Sequence, residues 1–369
     1  MKRLTILAAA AFMAACSHPI EVEVAENAGV DRIAESVEVA WAQIEFDGLT
    51  PDNVVVKHRG TEIPSQVLTV DGEPISLLFQ ADVKAGGSET YQIVKGKRSA
   101  YAPLVYGRFV PERFDDYAWE NDKAAFRAYG PALETAPGEM LATPGFDAWV
   151  KCVDTLVIDA RYKRGNYHHN YGDGMDCYKV GRTLGAGASA PYAADTIWLS
   201  RNFAEFEILA NGPLRTLVAF VYEPFEVDGT PVSLTKFIAL DAHSHFNHIV
   251  NIYEGNFDTM PVVAGFIRHD VKGTAQGDGW IAMYEAASDS ANPEEDGDLY
   301  FAVIQDDAQM CENISGHLAA LREVGNGEPV EYLAGTGWSG AGIENLDVWT
   351  QIVEREAAAY RYPLTVTVR

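Results

Sequence analysis

Cysteine is scarce in this chain: four in 369 residues, at positions 16, 152, 177 and 311. None shows the paired short spacing of a structural zinc site. Beyond Cys16 there is room for a single disulfide with one thiol left over, and the spacing does not say which two would pair. Positive charge is also in short supply, with 28 Lys and Arg against 53 Asp and Glu and a net charge of -25. Nucleic-acid binding is excluded on that ground, because neutralising phosphates needs a basic face. A long apolar run is missing too. The longest, Leu4–Phe12, is too short to span a bilayer. There is no G-x-S-x-G elbow, no H-E-x-x-H helix and no phosphate-binding P-loop, which argues against serine-hydrolase, zinc-protease and nucleotide chemistry.

The first residues have a different purpose. Lys2 and Arg3 precede the short apolar stretch, and Ala14-Ala15 lead into Cys16. This is the pattern of a cleaved export signal ending in a lipobox, with Cys16 as the lipid-bearing N-terminus. It predicts a bacterial protein of the periplasm or cell surface that touches membrane only through its lipid. Ser17 after the cysteine favours the outer membrane.

Residues 20–98 read as a small β-sandwich of immunoglobulin type. Val37, Val39 and Trp41 alternate along one run, and Asp47-Gly48, Asp71-Gly72 and Gly86-Gly87 punctuate the β-prone segments. The polar stretch 95–103 is the expected linker. From residue 104 to 369 the β-prone runs are longer and predict a large antiparallel supersandwich, so the fold class is all-β. Asn326-Gly327 marks a hairpin. A single helix is expected late in the chain, capped by Asn345 and burying Trp349, Ile352 and Val353. A sheet of this size predicts a concave face that could hold an oligosaccharide.

Three stretches could carry chemistry. Residues 167–184 (YHHNYGDGMDCYKVGRTL) gather His168, His169, Tyr171, Asp173, Tyr178 and Lys179 among glycines, as a catalytic loop would. A merely solvated loop has the same composition. Residues 115–131 (DDYAWENDKAAFRAYGP) read as a strand polar on both faces. There Trp119 and Asn121 could line a groove, or an edge strand could be solvated on both sides. His243, His245 and His248 invite a metal reading, although neutral histidines at a strand end look the same. Arg215 could fork onto a substrate carboxylate or pair with an acidic neighbour.

Residues 110–113, the WENDKAAFRAYGP stretch, Tyr167-His168 with GDGMDCYKVGRTLGAG, and Gly335-Thr336-Gly337-Trp338-Ser339 resemble a bacterial family labelled as a domain of unknown function. The resemblance spans roughly residues 105–361, and Asp147-Ala148-Trp149 is a slightly altered version of another of its markers. It implies a supersandwich like those of polysaccharide lyases and galactose-mutarotase-like proteins. It also implies action on uronic-acid oligosaccharides from polysaccharides such as ulvan and pectin, including dehydration of a terminal glucuronyl residue. Tyr167, His168, Asp176, Tyr178 and Lys179 fall in the family's hallmark loop, whereas the His243 cluster does not belong to its pattern.

The expected reaction is therefore β-elimination by a dehydratase or polysaccharide lyase, without cofactor or metal. His168 would be the base and Tyr171 or Tyr178 the proton donor. Arg215 or Asn121 would neutralise the uronate, and Trp119, His169, Asp173, Lys179 and Trp338 would bind substrate. Two rival readings are a surface lipoprotein that only binds oligosaccharides through Trp119 and Trp338, and a glycoside hydrolase using Glu120 and Asp173.

Overall fold

The computed structural model describes residues 19–46, 48–290 and 292–369. Cys16 and the export segment lie outside the described residues. The chain is all-β, and its strands pair antiparallel in five sheets. The N-terminal part forms a sandwich whose core is built from Val22, Val37, Val39, Trp41, Phe79 and Tyr91 among others. One of its sheets is completed from the far end of the chain. Thr365–Val368 pairs with Ile20–Ala25 (Val22 opposite Val368), and Val366 and Val368 pack on the sandwich core. The N-terminal unit is thus not a separate run of residues 20–98, because its edge is supplied by the last residues. The expected linker is also held down: Arg98 donates to the Pro51 carbonyl, and Tyr101 donates to Glu62.

The larger part has an eight-stranded sheet and two five-stranded sheets around one continuous core. The sandwich docks on it through an apolar patch of Leu78 against Val105, Leu214 and Ala242, together with polar contacts. The Gln66 side-chain oxygen accepts from the Leu214 and Arg215 amides, each at 2.8 Å. The late helix, Leu346–Arg361, begins as expected. Asn345 Oδ1 accepts from the Val348 amide at 3.0 Å, and Trp349, Val353 and Ala357 bury against the outer face of the eight-stranded sheet. Asn326-Gly327 does turn the chain between His317–Gly325 and Pro329–Trp338, but the expected hairpin is not formed. The first strand pairs with Thr259–Ile267 in a five-stranded sheet and the second with Phe246–Gly255 in the eight-stranded sheet, so the turn is a crossover between sheets. Among the described residues the three cysteines are free: Cys152 exposed, Cys177 buried and Cys311 between.

The sheet that matters for chemistry runs Gly174–Asp176, Phe146–Lys151, Ala124–Ala128, Asp116–Asn121, Val105–Val110. Its inner face alternates into the main core with Tyr117, Trp119, Phe126, Phe146, Ala148 and Met175. Its outer face carries Asp116, Arg127, Asp147, Trp149 and Asp176, and is covered by the Ile158–Arg164 helix and the loop that follows it. The stretch expected to be one polar strand is instead a hairpin. Asn121 Oδ1 accepts from the Lys123 and Ala124 amides, closing the turn. The two faces differ in what they bury, so no continuous alternation could appear across the turn.

Candidate active site

The outer face of that sheet is a row of charge. Register places Arg127 opposite Asp147, while Asp176, opposite Trp149, and Asp116, two residues before the Ala118 that faces Arg127, are their diagonal neighbours on the same face. The Arg127 guanidinium lies 2.6 Å from Asp147, 3.6 Å from Asp176 and 3.8 Å from Asp116. All four side chains are nearly sealed, the carboxylates at 1–2% exposure. Burial opposes the charge on Arg127, but the carboxylates, Asp147 foremost, more than restore it and hold its pKa well above the usual value. The converse holds for the acids. Burial pushes Asp116 up to about 6, and lifts Asp147 as well. Asp176 is raised well above a normal carboxyl, first by burial and then by Asp147. One cation cannot offset the burial of three carboxyls, and all three are raised. Asp147 Oδ1 and Asp176 Oδ2 are buried without a hydrogen-bond partner.

Over this row folds the histidine loop. Tyr167 stacks on Trp149 at 4.9 Å between ring centres, and its hydroxyl oxygen accepts from Arg113 at 2.9 Å and Arg127 at 3.2 Å. His168 packs against Tyr167 and is half exposed. Its Nδ1 faces acceptors alone: the Asp176 carbonyl at 3.2 Å, the Asp176 carboxyl at 3.7 Å and Asp289 at 3.9 Å. Nδ1 therefore carries the ring proton, and Nε2 keeps its lone pair. Local chemistry fixes this loop. Asn170 Oδ1 takes the Gly172 and Gly174 amides, and Asp176 donates its amide to the Tyr167 carbonyl. Gly174 sits at φ +94°, where a Cβ would come 2.1 Å from the Val150 carbonyl oxygen, so only glycine fits. Beyond Asp176 the chain is stitched to residues 288–289. The Asp289 amide donates to the Cys177 carbonyl, and the Lys179 amide to Ser288 Oγ. Lys179 itself is exposed and has no ion pair among the described residues.

The other expected site residues divide. His169 and Tyr171 are exposed at the loop's tip, edge to face at 4.6 Å, with Arg164 over the Tyr171 ring. Asp173 is tied to Arg164 at 2.7 Å. Tyr178 corrects an expectation. It is buried with its hydroxyl against the Gly185 and Ile267 carbonyls, and burial pushes its ionisation far up, so it has no route for passing a proton to substrate. Trp119 is no sugar platform, because it lies in the core with Nε1 donating to Asn247 at 2.8 Å. The inner sheet faces that could have formed a binding concavity are filled by apolar side chains of this kind. Trp338 is likewise buried and donates to the Asp296 carbonyl. Asn121 spends its amide on the Asp241 and Ser244 carbonyls and cannot meet a uronate.

Arg215 lies away from the loop, forked onto Asp241 at 2.6 and 2.8 Å and reaching Glu38 of the sandwich at 3.0 Å. Glu120 is sealed beneath the 158–164 helix, accepting from Lys151 and from the Val157 and Ile158 amides, which removes it as a hydrolytic acid. The three clustered histidines do not converge. His243 binds Asp122, His245 the Thr336 carbonyl and His248 Glu331. No group of three or more metal-binding side chains is assembled among the described residues. His243 and His245 do line a cavity of about 230 Å³ at the seam between sandwich and large domain, with Arg32, Glu35 and Glu356.

Asp116 joins the site without any motif to announce it, and Arg127, Asp147 and Asp176 stand out in the sequence only as parts of a family resemblance. The available signal is an arginine and three aspartates in otherwise apolar strands, and it becomes legible only once the strands are paired.

Among known proteins, the chain is 31% identical over 312 residues to "Uncharacterized protein P7" of Formosa agariphila, covering 77% of each. Among solved structures, an alpha-mannosidase from Enterococcus faecalis V583 aligns at TM-score 0.46 and 8% identity. A protein of glycosyl hydrolase family 38 from Enterococcus faecalis aligns at 0.47 and 7%. Both cover 95% of this chain, which spans 46% and 47% of their lengths, about half. The family described as Domain of unknown function (DUF4861) matches residues 24–366, nearly everything described, and the chain belongs to that family.

Proposed function

We propose that this chain is a carbohydrate-active enzyme that carries out β-elimination on a uronic-acid oligosaccharide, with His168 as the base. The observation that carries the reading is the state of the His168 ring. Its Nδ1 proton is held toward Asp176 and its other nitrogen is left to accept at a half-exposed position. A general base needs that arrangement: a fixed tautomer, an open lone pair, and a carboxyl behind the ring to receive the imidazolium once it forms. In the step itself the C5–H bond breaks and its proton passes to Nε2. The electron pair forms C4=C5 while the C4–O bond breaks, and the departing oxygen takes up one proton. It leaves as water from a terminal residue or as a sugar hydroxyl from an internal one.

The C5 proton is acidic only if the neighbouring carboxylate is neutralised. Arg215 and Asn121 are engaged elsewhere, so that task passes to Lys179, whose backbone is pinned to the same 288–289 turn that His168 faces. The lipid anchor at Cys16 and export to the cell surface accord with a polymeric substrate that cannot enter the cell, and we include them in the proposal.

The test is incubation with saturated and lyase-generated uronic oligosaccharides, followed by mass and by ultraviolet absorbance. Elimination gives a C4–C5 double bond, with loss of one water or with chain cleavage. Saturated reducing sugars without new absorbance would identify a hydrolase and overturn the reading. His168→Ala should lower turnover by about two to four orders of magnitude while the fold is kept.

A further inference from the structure

Resting on the elimination reading, we infer that His269, oriented by the buried Glu285, is the acid that protonates the departing oxygen. The Glu285 side chain is fully buried, and it grips His269 twice: Oε1 faces Nδ1 at 2.7 Å and Oε2 accepts the backbone amide at 2.9 Å. The ring is packed edge-on against Tyr178 at 5.4 Å between centres, and its side chain remains 22% exposed. Nε2 has no partner among the described residues. With Nδ1–H committed to a carboxylate, Nε2 is the one ring atom that can exchange a proton with a bound molecule.

His269 belongs to the His168 site by its attachments. His168 rests on the carbonyl of residue 176 and His269 on the ring of residue 178, two residues whose backbones lie within about 7 Å of one another. The segment on the other side repeats the arrangement. Glu285 holds His269, and four residues on, Asp289 faces His168 while its amide binds the Cys177 carbonyl. The two imidazoles therefore hang from the same pair of segments, one half exposed beside Asp176 and Asp289 and the other backed by the buried Glu285. An elimination needs two such groups: one accepts the C5 proton, and the other delivers a proton from Nε2 to the C4 oxygen as the C–O bond breaks. The sealed Tyr178 cannot deliver that proton.

The experiment compares two uronides on the full-length protein. One has the natural hydroxyl or sugar at C4; the other has fluoride there, which leaves without a proton. His269→Asn keeps an N–H at the Nδ1 position for Glu285. It should cut kcat on the natural substrate about 100-fold or more, leave KM within a few-fold, and retain most of the rate on the fluoride. His168→Ala should lose both. Equal rate loss of His269→Asn on the two substrates, or a near wild-type rate on the natural one, would overturn the assignment while leaving the elimination reading standing. A wild-type protein inert toward every uronide would instead sink the elimination reading, and this inference with it.

Discussion

Arg127 and Arg215 are both arginines in β-strands facing acidic side chains, and they behave differently. Arg215 meets Asp241 and Glu38, whose side chains are 19% and 42% exposed, so water screens the second negative charge. Arg127 meets Asp116, Asp147 and Asp176 at 1–2% exposure, where nothing else can. The first arrangement joins two parts of the chain. The second raises the pKa of all three of its carboxyls, beside a histidine that water reaches. An excess of sealed acid over base, more than a buried arginine as such, separates the reactive region from the seam.

The comparison breaks most visibly at its centre. Arg127→Met leaves three sealed carboxylates with no cation, and at neutral pH should cost about 3–5 kcal/mol of stability by chemical denaturation, less at acidic pH where the acids protonate. A loss below about 1 kcal/mol would mean the row is already neutral without its arginine.

Next comes the pH response. Asp116 stands at about 6 in the folded protein against an ordinary 3.8. Between these values the folded chain keeps a proton that the unfolded chain has released, so stability falls as pH rises across the window. Asp116→Asn should flatten that slope, by up to roughly 3 kcal/mol between pH 4 and 6. Denaturation midpoints measured at half-unit steps would show it, and an unchanged slope would remove Asp116 from the proton-holding set.

The smallest effect is expected at the seam. Arg215→Met leaves two partly wetted carboxylates and should cost about 1–2 kcal/mol. On a confirmed substrate it should leave kcat and KM unaltered. A fall in turnover comparable to that of His168→Ala would return Arg215 to the role of uronate clamp.

Local features are legible in the residues themselves. Gly165, Gly172, Gly174 and Gly181 all have positive φ, as a glycine-rich turn segment implies. Asn345 caps its helix and the alternating runs are strands, whereas Asn326-Gly327 marks a turn whose two strands enter different sheets. Trp119 misleads because a tryptophan next to polar residues suits a sugar platform or a core face equally. The turn at Asn121–Lys123, closed by a side chain without Gly or Pro, hides the fact that the strand reverses. His269 and Glu285 lie 16 residues apart on facing strand ends and form no motif at all.

The all-β class, the hallmark loop's conformation and the helix start are written into the chain locally, because each depends on residues within a few positions of one another. Folding in three dimensions selected which aspartates face Arg127, made Arg215 the join between the sandwich and the large domain, and brought Thr365–Val368 to close a sheet begun at Ile20. Those outcomes rest on strand register between segments 20 to more than 300 residues apart. A shift of one residue would turn Asp147 from the charged row into the apolar core, and no local propensity encodes that choice.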